Sequence, residues 1–191
     1  PDFHKAWFTL GTSYEADNNL DSAVVKYNKA IELNPGYKKA YSNLGNIYTV
    51  KGAYDLAKDV LLIAIQIDPT YADAYLRLGV VYSEQELFND AAEQFKKSTE
   101  YNEKNFDTWF RYASSLNSIK NYGEASIAAQ KCIDIKNKFG GGWYEKGVAE
   151  IGKGNKTRAL KYFNEANKYR DWRKLAQRKI DEINNPTKYE K

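Results

Sequence analysis

Aromatic residues recur at Trp7, Tyr41, Tyr75, Trp109 and Trp143, each 34 residues from the next. A fixed period of this length, kept through five copies without insertion, signals one supersecondary unit repeated in tandem, each copy burying its apolar face against its neighbours. Other positions keep the same phase. Small residues follow at Gly11, Gly45, Gly79, Ala113 and Gly147, and again at Ala23, Ala57, Ala91, Ala125 and Ala159. A bulkier position runs Tyr27, Leu61, Phe95, Ala129, Phe163, and a further small one runs Ala30, Ala64, Ser98, Cys132, Ala166. Within a unit, residues such as Tyr75, Leu78, Gly79 and Tyr82 fall at helical spacing and define one apolar helix face. The small residues let a second helix approach closely, and the aromatics fill the space between neighbouring hairpins.

The pattern resembles the tetratricopeptide repeat, W-x2-L-G-x2-Y, then A-x3-F-x2-A, then P. Trp7-Leu10-Gly11-Tyr14-Ala23-Tyr27-Ala30-Pro35 and Tyr41-Leu44-Gly45-Tyr48-Ala57-Leu61-Ala64-Pro69 match it almost throughout. The later units drift: Glu103 stands where Pro is expected, and Lys146 and Glu150 occupy positions that are usually apolar. The resemblance implies an all-α fold, a right-handed superhelical α-solenoid of antiparallel helix hairpins. The expected units are 4–37, 38–71, 72–105, 106–139 and 140–171, followed by a capping helix over 172–184 and a polar tail over 185–191. Trp172, Leu175, Ala176, Ile180 and Ile183 form the buried face of that cap. Turns are expected at Asp17-Asn18-Asn19, Lys51-Gly52, Gln85-Glu86, Lys120-Asn121 and Gly154-Asn155, and Asn34-Pro35-Gly36 and Asp68-Pro69-Thr70 end the second helices.

Composition narrows the function by exclusion. The 29 basic and 25 acidic residues are scattered, and a net charge of +4 gives no footprint for nucleic acid. The only cysteine, Cys132, sits at a small inward position and reads as a core thiol, and with His4 as the only histidine there is no zinc ligand set. Apolar runs such as Val60 to Ile65 are too short to span a bilayer, so no direct membrane insertion is expected, and a soluble, cytoplasmic setting is mildly favoured. A chain with no Met that begins at Pro1 reads as a piece of a longer polypeptide. The segment Gly147 to Gly154 approaches a phosphate-binding loop, but it ends in Gly where Ser or Thr would hold magnesium, and it lies in a helix rather than after a strand. Asn155-Lys156-Thr157 is a formal glycosylation triplet of no weight on its own. Lys168, Arg170, Arg173, Lys174, Arg178 and Lys179 read mainly as the wet side of the cap. No nucleophile, base and orienting group recur together, so the expectation is a non-enzyme without cofactor or metal.

In a stack of such hairpins the first helices line a concave surface. The residues expected there as ligand contacts are Phe8, Thr12, Lys39, Asn43, Asn46, Leu76, Arg77, Phe110, Arg111 and Tyr144. Amides and guanidinium groups suit backbone and carboxylate recognition, and the apolar members supply side-chain pockets, which points to an extended peptide or partner protein. The two-carboxylate clamp of co-chaperones in the resembled family is not expected. Both clamp lysines are missing in either register, with Asp73 or Asp107 in the place of one of them. The alternative reading is a self-assembling structural unit, a homo-oligomer, or the targeting arm of a larger enzyme.

Overall fold

The computed structural model describes residues 3–185. The expected tail over 185–191 therefore lies outside them except for Asn185. Eleven α-helices make up the described residues: α1 (Phe3–Ala16), α2 (Leu20–Leu33), α3 (Lys38–Val50), α4 (Tyr54–Ile67), α5 (Ala72–Glu84), α6 (Phe88–Tyr101), α7 (Phe106–Ser118), α8 (Tyr122–Ile135), α9 (Gly140–Gly152), α10 (Lys156–Asn167) and α11 (Arg170–Asn184). They are tandem hairpins of the α-solenoid class, in two compact units, Pro1–Glu86 and Leu87–Lys191.

The turns inside the hairpins are made by one device. The second residue after each first helix adopts a positive φ, at Asn18 (57°), Gly52 (72°), Glu86 (59°), Lys120 (61°) and Gly154 (80°). The following N–H then reaches back to a carbonyl of the last helical turn, as in Asn19 to Tyr14, Ala53 to Tyr48, Asn121 to Leu116 and Asn155 to Glu150, each at 2.8 Å. Only two of the five positions are glycine. Lys120 carries a side chain in a conformation that favours glycine, so Lys120→Gly is expected to stabilise the second unit by about 0.5–1 kcal/mol in urea unfolding. Gly52→Ala should lose a similar amount in the first unit, since its Cβ would meet nothing and the cost is conformational alone.

The turns that follow α2, α4, α6 and α8 are also alike, whereas α10 ends at Lys168 in a helical conformation. Their caps, Asn34, Asp68, Asn102 and Lys136, are all extended, with φ between −147° and −141°. The third and fourth keep this geometry without proline. Aromatic side chains help to fix it: Trp109 Nε1 donates to the Glu103 carbonyl and Trp143 Nε1 to the Asn137 carbonyl, both at 2.8 Å.

The core runs along the axis of each hairpin. Ala23, Ala57, Ala91, Ala125 and Ala159 are fully buried. A Cβ added at Gly11 would stand 2.5 Å from the Tyr27 ring, and one at Gly147 2.6 Å from the Phe163 ring, so glycine on the first helix admits a large side chain from the second. In the first unit the core joins Ala23, Tyr27, Ala30, Ala40, Leu44 and Ile47, then Ala57, Leu61, Ala64, Ala74, Leu78 and Val81. In the second, Ala159, Phe163 and Ala166 of α10 pack against Ala176 and Ile180 of α11. Ala176, Ile180 and Ile183 continue the phase of Ala40, Leu44 and Ile47, so α11 stands in the phase of a first helix. It begins one turn earlier than that phase requires, and the extra turn carries Trp172.

Candidate ligand-binding surfaces

In the first unit the expected contact residues Asn43 and Asn46 lie together on α3, and Arg77 lies on α5. Tyr27 organises them. Its ring passes Gly11 and its hydroxyl donates to Glu15 Oε2 at 2.6 Å, while Asn43 Nδ2 donates to the same hydroxyl at 2.9 Å. Asn46 Nδ2 donates to Glu15 Oε1 at 3.0 Å. Burial, then the hydrogen bond to Glu15, pushes the Tyr27 phenol well above its ordinary pKa, so it remains a donor at any physiological pH. A second acid node lies beside it. Asp73 accepts from the buried Ser42 hydroxyl and from Arg77 Nε at 2.9 Å.

Asn43, Asn46 and Arg77, expected as ligand contacts, each hold a partner within the chain. The Asp73–Arg77 spacing was legible as an i,i+4 helix pair, but the Tyr27–Glu15 node was not, because it joins ends of side chains from different helices. Each amide still has a second N–H and its carbonyl oxygen. Of the other first-unit residues, Phe8 packs its ring on Tyr27 and Tyr37, with centroids 5.4 and 5.2 Å away. Thr12 donates its hydroxyl to the Thr9 carbonyl at 2.8 Å. Leu76 is half-buried on α5 and Lys39 is exposed on α3.

In the second unit Arg111 Nε donates to Asp107 at 2.8 Å. Phe110 and Tyr144, expected as pockets for a ligand, both contact Trp172, with ring centroids 5.4 and 5.3 Å away, and Phe139 completes the cluster. The glycines that open α9 explain how Trp172 fits. A Cβ at Gly140 or Gly141 would come within 2.8 Å of its indole. Three successive glycines are costly in a helix, and the seated tryptophan accounts for two of them; a Cβ on the third, Gly142, would crowd Cys132 and Ile133 at 3.1 Å.

The same helix holds a buried carboxyl. Glu145 is 6% exposed and accepts from Asn117 Nδ2 at 2.8 Å. Desolvation raises its pKa to about 7, against the lowering effect of hydrogen bonds from Asn117 and Ser114. Lys146 and Glu150, noted as departures from the apolar pattern, are buried too. Lys146 reaches Gln130, and Glu150 accepts from Lys153 at 2.8 Å and Asn155 at 2.9 Å, which ties down the turn into α10. The loop-like Gly147 to Gly154 segment is thus the end of α9 and its turn. Cys132 is fully buried, and burial pushes its thiol up to about 12, far from nucleophilic at neutral pH. At the end of α10 Lys168 pairs with Glu165, and on α11 Arg178 and Lys179 pair with Glu182. Among the described residues no helix is long and apolar enough to cross a membrane, and no three His, Cys, Asp or Glu side chains group as metal ligands.

Helical hairpins in tandem, with polar and aromatic side chains arrayed along their first helices, define a repeat scaffold for protein interactions. The chain belongs to the tetratricopeptide repeat family. Family models described as TPR repeat and tetratricopeptide repeat match residues 11–52 and 45–86, and 72–105 and 106–139. No curated protein matches the sequence. Among solved structures, YrrB, described as a TPR protein with an unusual peptide-binding site, is 25% identical with a TM-score of 0.75, over 90% of this chain and 89% of its own. MamA is 24% identical with a TM-score of 0.75, over 86% of this chain and 90% of its own. PilF of Pseudomonas aeruginosa is 17% identical with a TM-score of 0.77, over 86% of this chain and 75% of its own. The family consists in general of non-catalytic interaction modules.

Proposed function

We propose that this scaffold captures an extended peptide segment of a partner protein, and that the first-unit strip of Asn43, Asn46 and Arg77 supplies the polar contacts. The observation that carries this reading is the organised network around Tyr27 and Glu15. Amides held by internal bonds lose little side-chain freedom on meeting a peptide backbone, so more of the interaction energy appears as affinity. Lys39, Leu76, Thr12 and Phe8 flank the strip. A structural relative described by its peptide-binding site supports the class of ligand. Arg111 is a candidate in the second unit, while Phe110 and Tyr144 can serve a ligand only if Trp172 first leaves them.

The test starts from peptides selected by display on the intact chain, followed by calorimetric titration. The double variant Asn46→Ala/Arg77→Ala is expected to weaken the selected peptide by roughly tenfold or more, in line with loss of two polar contacts, while thermal unfolding changes little. Unchanged affinity in that variant refutes the strip as the contact surface.

A further inference from the structure

Three repeats carry tryptophan at the same position, Trp7, Trp109 and Trp143, and the side chain that covers each comes from one position on the second helix. In the first repeat it is Lys26, whose ammonium lies 5.0 Å from the centre of the Trp7 ring. In the fifth it is Tyr162, which stacks on Trp143 with centroids 6.2 Å apart at 25°. In the fourth that position is Ala128, whose methyl group covers little, and a hollow of about 300 Å3 opens beside Trp109.

The walls of the hollow are Trp109, Tyr112, Ile127 and Ala128. Ile127 is 64% exposed, an apolar residue that no neighbour in the fold covers. The charges at the rim are Glu100, Glu124 and Lys96. Glu124 accepts from the Tyr112 hydroxyl and from Asn121 Nδ2 at 3.0 Å, neutral donors that leave its charge in place. Among the described residues neither Glu100 nor Glu124 forms an ion pair, with Lys96 or any other cation, so the rim is negative on balance. An aromatic face whose rim holds two carboxylates against one ammonium favours a cation, by attraction to the ring's electron-rich face and by the net negative charge.

We propose that this hollow receives the lysine side chain of a partner protein segment, which takes beside Trp109 the place that Lys26 takes beside Trp7. The alkyl stem lies on Ile127 and Ala128 and the ammonium meets Glu100 and Glu124. The site belongs to the second unit and shares no residue with the first-unit strip, so it stands or falls independently of peptide capture there.

The probe is Nα-acetyl-lysine methylamide, added to the intact protein while the indole N–H signal of Trp109, assigned with Trp109→Phe, is followed by NMR. Norleucine and tyrosine methylamides of the same form are the uncharged and aromatic controls. The lysine compound is expected to shift the Trp109 signal saturably and to bind at least about fivefold more tightly than norleucine, the scale of a modest cation–π and charge contribution. Glu100→Gln, a change at an exposed residue, is expected to weaken it at least about twofold. Ala128→Lys is expected to move the signal without any ligand and to abolish the response. The proposal is overturned by no saturable shift with lysine, by equal binding of norleucine, by preference for tyrosine, or by a response undiminished in Glu100→Gln.

Discussion

Gly141→Ala is expected to destabilise the second unit by about 1–3 kcal/mol, although alanine is the better helix former by about 1 kcal/mol. The added methyl would lie 2.5 Å from the Phe139 ring and 2.8 Å from Trp172, and both rings are held in one cluster. Trp172→Ala alone should cost about 2–4 kcal/mol, since it strips the contacts to Phe110, Phe139 and Tyr144 and leaves a space beside two glycines. Combined, the two changes should couple strongly. With the indole gone Phe139 can move aside, and Gly141→Ala becomes stabilising by about 0.5 kcal/mol through helix propensity. A double-mutant cycle by urea unfolding measures this directly. Additive effects would mean that the glycines are not there for Trp172.

Glu145→Gln is expected to stabilise the protein by about 3 kcal/mol at pH 8 and to change little at pH 4, because burial raises the Glu145 pKa from 4.5 to about 7. Below about pH 4.5 the carboxyl is protonated in both the folded and unfolded states and contributes no pH dependence. Between about 4.5 and 7 the unfolded chain releases the proton while the folded protein keeps it, so stability falls as pH rises. Above about 7 both states are ionised and the loss is constant. The glutamine retains an acceptor for Asn117 and adds a donor, and Asn117 Oδ1 is buried without a partner. Thermal unfolding across pH 4–8 should therefore show a decline in the parent over that window that the variant lacks. Parallel curves would refute a buried, neutral Glu145.

The helical plan was legible residue by residue. Asn18, Gly52, Glu86, Lys120 and Gly154 recur in phase, and turns were expected at all five. Gly11 and Gly147 read as places of close helix approach, where Tyr27 and Phe163 enter. The candidate sites were less legible. Arg77 and Arg111 have acid partners one turn away on their own helices, visible as a spacing, and each guanidinium is engaged there. Asn43 and Asn46 are bound through Tyr27 and Glu15, from two other helices, and no spacing in the chain announces that. Trp172 read as part of the cap's buried face. Its entry between Phe110 and Tyr144 follows from one extra helical turn at the start of α11.

By itself the sequence determined the repeat, its phase and the residues of its core, because hairpin packing reuses a short local pattern and each copy restates it. The tertiary structure alone decided which side chains remain for a partner. Glu145 lies in the interior, Phe110 and Tyr144 are taken by the chain's own tryptophan, and the cover over each repeat tryptophan is lysine, tyrosine or nothing. These outcomes depend on where side-chain ends from separate helices meet, and on the burial and charge at that meeting point, which a period along the chain does not encode.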